Sequence, residues 1–256
     1  PSPSQNAKAP PELGWVPDFG YTSTIVGDFL GNGGKQVFFA TRCHAYLLSR
    51  DGELIWKYPL VEGFGVFLIR RKDGRIEPDI HGTGGMEDHA ASGDLNGDGA
   101  MDVVMGLDPE YRATYYEASR KVEYEYVKRN NAVIAIDGKT GELLWRFEGS
   151  YPGDNGLERM RQPILIDLDG DSFLDVVVVS TDGKLYGLRG SDGALLWRYS
   201  FQGRDLQLMA GVVTYGEPIL FVIENDLQKR VSRLHALSLL KKRDVDTGET
   251  DPQIIN

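Results

Sequence analysis

Apolar residues along the chain come in short runs separated by turns rich in Gly, Asp and Asn, and the runs recur in groups of four. Short apolar runs bounded by such turns read as strands, not helices. The first group covers residues 21–27, 36–41, 44–49 and 53–58. The second covers 89–93, 102–107, 132–137 and 142–148. The third covers 163–166, 175–180, 184–189 and 194–199. The fourth covers 208–215, 218–224 and 231–239, with no clear last strand after it. Almost nothing has a helical period. The best helix candidate is the charged stretch 115–128.

Two motifs alternate through these groups. One is a glycine turn followed by a strand bearing a Trp and a basic–aromatic pair. It reads Asp51-Gly52-Glu53-Leu54-Ile55-Trp56-Lys57-Tyr58, then Thr140-Gly141-Glu142-Leu143-Leu144-Trp145-Arg146-Phe147, then Asp192-Gly193-Ala194-Leu195-Leu196-Trp197-Arg198-Tyr199. A tight turn ahead of an aromatic strand predicts a hairpin whose ring packs between layers. Asp246-Thr247-Gly248-Glu249 echoes the turn once more.

The other motif is an acidic loop that leads straight into a strand. Asp94, Asn96, Asp98 and Asp102 stand at its first, third, fifth and ninth places, and Asp167, Asp169, Asp171 and Asp175 repeat the spacing. A hard cation such as Ca²⁺ takes six to eight oxygens at about 2.3–2.6 Å, and alternate acidic side chains on one tight loop supply most of them. The first group carries a degenerate copy, with Leu30 in place of a carboxylate and Lys35 near its end. The fourth has only the short turn Tyr215-Gly216-Glu217-Pro218.

Repeated four-stranded antiparallel units predict an all-β chain built as a β-propeller, with about four blades visible at 21–58, 88–148, 162–200 and 207–250. The acidic loops followed by Asp-Val-Val resemble the FG-GAP/VCBS repeats of integrin-type propellers. The Thr-Gly-Glu-Leu-Leu-Trp-Arg motif is similar to the repeat of quinoprotein (pyrroloquinoline-quinone-like) propellers. The resemblance covers roughly residues 21–250. It implies Ca²⁺ on Asp94, Asn96, Asp98 and Asp102 and on Asp167, Asp169, Asp171 and Asp175, with the backbone carbonyls of Ala100 and Phe173 adding a ligand each. Two ions are expected, the first-blade loop being the same turn without metal. Propellers of this kind usually have more blades. The ring is therefore expected to close through further blades of a longer chain, through association of copies, or through residues 12–15 (Glu-Leu-Gly-Trp) acting as the missing last strand.

Composition narrows the function. The formal charge is -10 and the pI about 4.9, which disfavours a nucleic-acid binder. No apolar run is long enough for a membrane helix. Cys43 is the single cysteine, so no intrachain disulfide forms, and its apolar surroundings predict a buried structural thiol. Residues 1–20 form a polar, Pro-rich leader that starts at Pro1. The start at Pro1 reads either as the result of a removed signal peptide or as a piece of a longer chain.

In a propeller the first-to-second and third-to-fourth strand connections share one face. The long segments 59–88, 108–131 and 149–162 are all expected on the other face, where function usually resides. That face carries His81, Glu87, Asp88 and His89, the tyrosines Tyr111, Tyr115 and Tyr116, and the cations Arg159 and Arg161. His44 and His235 lie in apolar strands and read as structural. The leading expectation is a non-catalytic, Ca²⁺-stabilised propeller, extracellular, cell-surface or periplasmic, that binds a protein or carbohydrate ligand through the long-loop face. The alternatives are the propeller part of a secreted enzyme (quinoprotein-like dehydrogenase or polysaccharide lyase) and a self-assembling structural protein. The vicinal Cys pair often seen in quinoprotein dehydrogenases is missing, and no nucleophile signature stands out.

Overall fold

Each group of apolar runs folds into one antiparallel four-stranded sheet. The computed structural model describes residues 24–41, 44–60, 67–70, 76–79, 86–107, 110–117, 122–129, 132–148, 160–180, 183–202, 205–214, 217–226, 229–238 and 253–255. The first blade is a meander of β1 (Thr24–Gly27), β2 (Gln36–Ala40), β3 (His44–Leu48) and β4 (Leu54–Pro59). A hairpin of β5 (Phe67–Arg70) and β6 (Ile76–Asp79) follows. The second blade opens with β7 (Met86–Gly93) and β8 (Asp102–Leu107). A second hairpin, β9 (Glu110–Glu117) and β10 (Val122–Arg129), is inserted before β11 (Ala132–Ile136) and β12 (Leu143–Glu148) complete the sheet. The third blade is β13 (Ile164–Ile166), β14 (Asp175–Ser180), β15 (Lys184–Leu188) and β16 (Leu195–Ser200). The fourth is β17 (Asp205–Thr214), β18 (Glu217–Asp226), β19 (Val231–Ser238) and β20 (Gln253–Ile255).

Two expectations need correction. The stretch 115–128 is not helical: it spans the β9–β10 hairpin, with Tyr115 opposite Tyr124 and Ala113 opposite Tyr126. The strand-forming Tyr and Val residues of Val122-Glu123-Tyr124-Glu125-Tyr126-Val127 recur at near-alternate positions, and this pattern prevails over the helix-favouring Glu and Lys. The fourth blade also has a last strand. Gln253–Ile255 pairs with Ala236–Ser238 on the edge that residues 12–15 would fill in one of the three routes to closure, and 12–15 lie outside the described residues.

The core is three apolar layers, each between neighbouring sheets. Phe38, Leu47 and Trp56 of the first blade meet Val103, Met105, Ile134 and Ile136 of the second. Val104, Val133, Ala135 and Trp145 meet Val176, Val178, Tyr186 and Leu188 of the third. Val177, Val179 and Leu185 meet Leu206, Leu220, Val222 and Leu237 of the fourth. Side chains alternate across a sheet, so β8, β11 and β14 serve a layer on each side and are buried at every position. In β2 and β3 only every second residue is fully buried, because the neighbour covers one face. The other face keeps half-buried Phe39 and Tyr46 stacked at 4.9 Å, with Lys57 over the tyrosine ring.

The repeated Trp ties the first blade to the second and the second to the third. Trp56 Nε1 on β4 donates to Gly138 O in the β11–β12 turn at 2.8 Å. Trp145 Nε1 on β12 donates to Gly190 O in the β15–β16 turn at 2.6 Å. Each Trp ring also lies on the turn glycine that follows, Gly141 (φ +73°) or Gly193 (φ +71°), where any side chain would collide with it.

Candidate metal centre

The acidic loops connect β1 to β2, β7 to β8 and β13 to β14, and they share one construction. The first Asp folds the loop around itself. Asp94 accepts amides from Gly97 (2.7 Å), Asp98 (3.2 Å) and Gly99 (2.9 Å). Asp167 accepts from Gly170 (2.7 Å) and Ser172 (3.0 Å), and Asp28 from Asn32 (3.1 Å) and Gly33 (2.6 Å). Such Asp–backbone turns need φ > 0 at some positions, which Gly31, Gly33, Gly97, Gly99, Gly170 and Ser172 supply. The Gly33 amide holds the Asp28 carboxyl below its ordinary value.

The ninth residue of each loop turns inward. Asp102 is fully buried and accepts Leu95 N and Gly138 N, each at 3.0 Å. Asp175 accepts Leu168 N and Gly190 N, each at 3.1 Å. These carboxylates clamp the loop to the turn that also receives the preceding blade's Trp. Burial pushes both carboxyls up to about 6, against the pull of the two amides and with help from neighbouring acids. In the first blade Gln36 takes this place without charge and accepts Phe29 N at 2.8 Å.

The two full loops differ in what faces them. In the third blade Asp167, Asp169 and Asp175 each offer an oxygen within 4.8 Å of the others, the one such acidic, His or Cys group among the described residues. Three carboxylate oxygens converging on a point form a donor set that fits a hard dication. Asp171 stands outside this group, its Oδ1 accepting Phe173 N at 2.8 Å, and the Phe173 ring lies against Gly97 of the neighbouring loop. In the second blade Asp98 is paired with Lys139, whose Nζ lies 2.8 Å from Oδ2 and 2.9 Å from the Asp98 carbonyl. That hydrogen bond lowers the Asp98 carboxyl and raises the Lys139 amine. Asn96 Nδ2 donates to Asp137 Oδ2 at 3.3 Å, and Ala100 is buried. Lys139, Asp137 and the clamping glycines Gly138 and Gly190 were not picked out from sequence. They stand more than 30 positions from Asp98 or 15 from Asp175, and only the hairpin geometry brings them in.

The long-loop residues are placed as follows. Glu87, Asp88 and His89 lie on β7, and Tyr111, Tyr115 and Tyr116 on β9. The β5–β6 and β9–β10 hairpins, from two different long segments, lie beside each other. Arg161 is half-buried next to buried Met160, its amide on Val179 O at 2.9 Å. His81, Arg159 and Cys43 lie outside the described residues. His44 faces Tyr46, and His235 Nε2 lies 2.9 Å from buried Glu224 Oε2 with Phe201 edge-on, so both histidines are structural.

Four antiparallel four-stranded sheets in series, three of them with a Trp on the last strand, define a β-propeller. A family model described as outer membrane protein assembly factor BamB matches residues 114–223. No curated protein matches the chain. Among solved structures, rhamnogalacturonan lyase YesW is 14% identical with a TM-score of 0.48, over 96% of this chain and 51% of that one. A europium-containing methanol dehydrogenase is 16% identical with a TM-score of 0.48, over 79% and 39%. BamB from Moraxella catarrhalis is 13% identical with a TM-score of 0.29, over 80% and 56%. The chain thus spans about 39–56% of the length of these structures. No described helix is long and apolar enough to cross a membrane.

Proposed function

We propose that the chain is a non-catalytic, Ca²⁺-stabilised propeller segment that works outside the cytoplasm, in the periplasm or at the cell surface, and binds a protein partner through its long-loop face. The observation that carries the metal reading is the convergence of Asp167, Asp169 and Asp175. These residues would hold the ion, and the ion would neutralise carboxylates that otherwise repel one another at the β13–β14 junction. FG-GAP/VCBS character rests on this loop spacing. The partner reading is supported by the two hairpins lying side by side and by the assembly-factor family matched over 114–223. A carbohydrate ligand is the alternative occupant of that face.

The metal test is a thermal melt with Ca²⁺ and with excess chelator, paired with metal analysis. Ion at 100 times its dissociation constant stabilises the native state by roughly 2.7 kcal/mol. A lower melting temperature on chelation, abolished in Asp169→Ala, supports the reading; no bound metal and no shift would sink it. For the partner, in-cell photo-crosslinking from Tyr111 and Tyr116 is expected to yield a discrete protein adduct. A glycan-array signal without any adduct would reassign the face to carbohydrate.

A further inference from the structure

We infer that Lys139 is the built-in counter-cation of the second-blade loop, so that this loop takes no Ca²⁺ and metal occupancy is decided by the residue after the clamping glycine. The contrast rests on the calcium reading of the third loop, and the experiment below separates the two.

The ammonium is held at two points, Asp98 Oδ2 and the Asp98 carbonyl, at 2.8 and 2.9 Å. Its stem is seated as well, with Cε against Gly31 of the first-blade loop. That loop is itself tied to the second by Met101 N donating to Asp28 O at 3.0 Å. Lys139 therefore sits between two stitched loops. Asp94 and Asp137 add attraction from further off. A divalent ion entering beside it must either displace the ammonium or sit against a like charge.

The third blade differs at the positions around this ammonium. Gly190 matches Gly138, each donating its amide to the ninth carboxylate, so Ser191 stands where Lys139 stands. Asp169 replaces the neutral Asn96. Arg189 stands at the place of Asp137, yet its guanidinium pairs with Asp192 at 3.2 Å within its own turn. Among the described residues no cation pairs with Asp167, Asp169 or Asp171. One loop carries its positive charge on the chain, and the other is left to take it from solution.

The test is Ca²⁺ titration by calorimetry with metal analysis on the whole chain, comparing Lys139 with Lys139→Ser and Lys139→Gln. All three are also made with Asp169→Ala to disable the third loop. With Asp169→Ala alone, no ion is expected at millimolar Ca²⁺. With either Lys139 substitution added, one ion per chain is expected, the affinity rising about tenfold or more as like-charge repulsion is removed. An ion bound at the second loop while Lys139 is present overturns the inference. So does the absence of any gain in both variants when their melting curves match the parent. An ion gained on Lys139→Ser in a protein that otherwise binds none supports the inference while removing the third-loop reading. One ion lost with Asp169→Ala and none gained does the reverse. Lys139 is partly exposed, and Gln keeps most of its stem while removing the charge, so folding is expected to be preserved in that variant.

Discussion

Trp56 and Asp102 belong to different blades, yet they hold the two backbone polar groups of one residue, Gly138. The Gly138 carbonyl takes the indole hydrogen at 2.8 Å while the Gly138 amide gives its own to the carboxylate at 3.0 Å. Trp145, Gly190 and Asp175 repeat the relay one blade on. A buried backbone N–H or C=O left without a partner is costly, so both bonds of the relay contribute.

Trp145→Phe should keep most of the ring packing and lose only the indole donor, leaving Gly190 O unpaired at a cost of about 1–3 kcal/mol. Trp56→Phe should behave alike. Trp197, only half-buried in the third blade, should tolerate the same change better. Urea denaturation of the three variants checks the ranking, and equal losses at all three would contradict a relay specific to Trp56 and Trp145.

Gly193 and Gly170 both have φ > 0, at +71° and +80°, but only Gly193 has a neighbour in the way. A Cβ there falls 2.6 Å from the Trp145 ring, whereas at Gly170 nothing lies within 4 Å. Gly170→Ala should cost about 1 kcal/mol for conformation alone, and Gly193→Ala a further 1–3 kcal/mol for overpacking. A calorimetric comparison in which the two variants melt together would show that the ring yields freely.

Asp28 titrates below its ordinary 3.8 because the Gly33 amide favours the carboxylate. A folded-state value below the unfolded one means the contribution is present above pH 3.8 and is lost as pH falls through the folded value. The acid limb of the melting curve should therefore be shallower in Asp28→Asn, with little difference between the proteins at neutral pH beyond the loss of the turn itself. An unchanged acid limb would mean that other carboxylates govern it.

Ser191→Lys should place in the third-blade loop the ammonium that the second already has. The expected result is loss of the Ca²⁺-dependent rise in melting temperature without loss of the fold, read by circular dichroism. An undiminished rise would mean that a lysine at this place does not reach the loop.

Much of the fold was legible because each signal was local. The runs 102–107 and 175–180 became β8 and β14 without a change of boundary, since their acidic start and apolar length are fixed by the loop before them. The helix expected at 115–128 failed for the opposite reason: Glu and Lys suit a helix surface, and only pairing with 110–117 reveals the hairpin. The acidic spacing correctly located two loops of one construction. It did not show that the ninth residue also clamps the loop, because Asp102 and Asp94 look alike until burial distinguishes them. It was also blind to Lys139, which reaches Asp98 only after 41 residues of intervening chain have folded back.

The latches also give the molecule a grammar. Each runs from the last strand of one blade to the turn of the next, so the second blade both speaks a donor, Trp145, and hears an acceptor, Gly138. Excising the chain from after Trp56 through Trp145 would delete one of each and bring Trp56 before the Gly190 turn, leaving the sentence well formed. A cut at any other phase would strand an indole or a carbonyl.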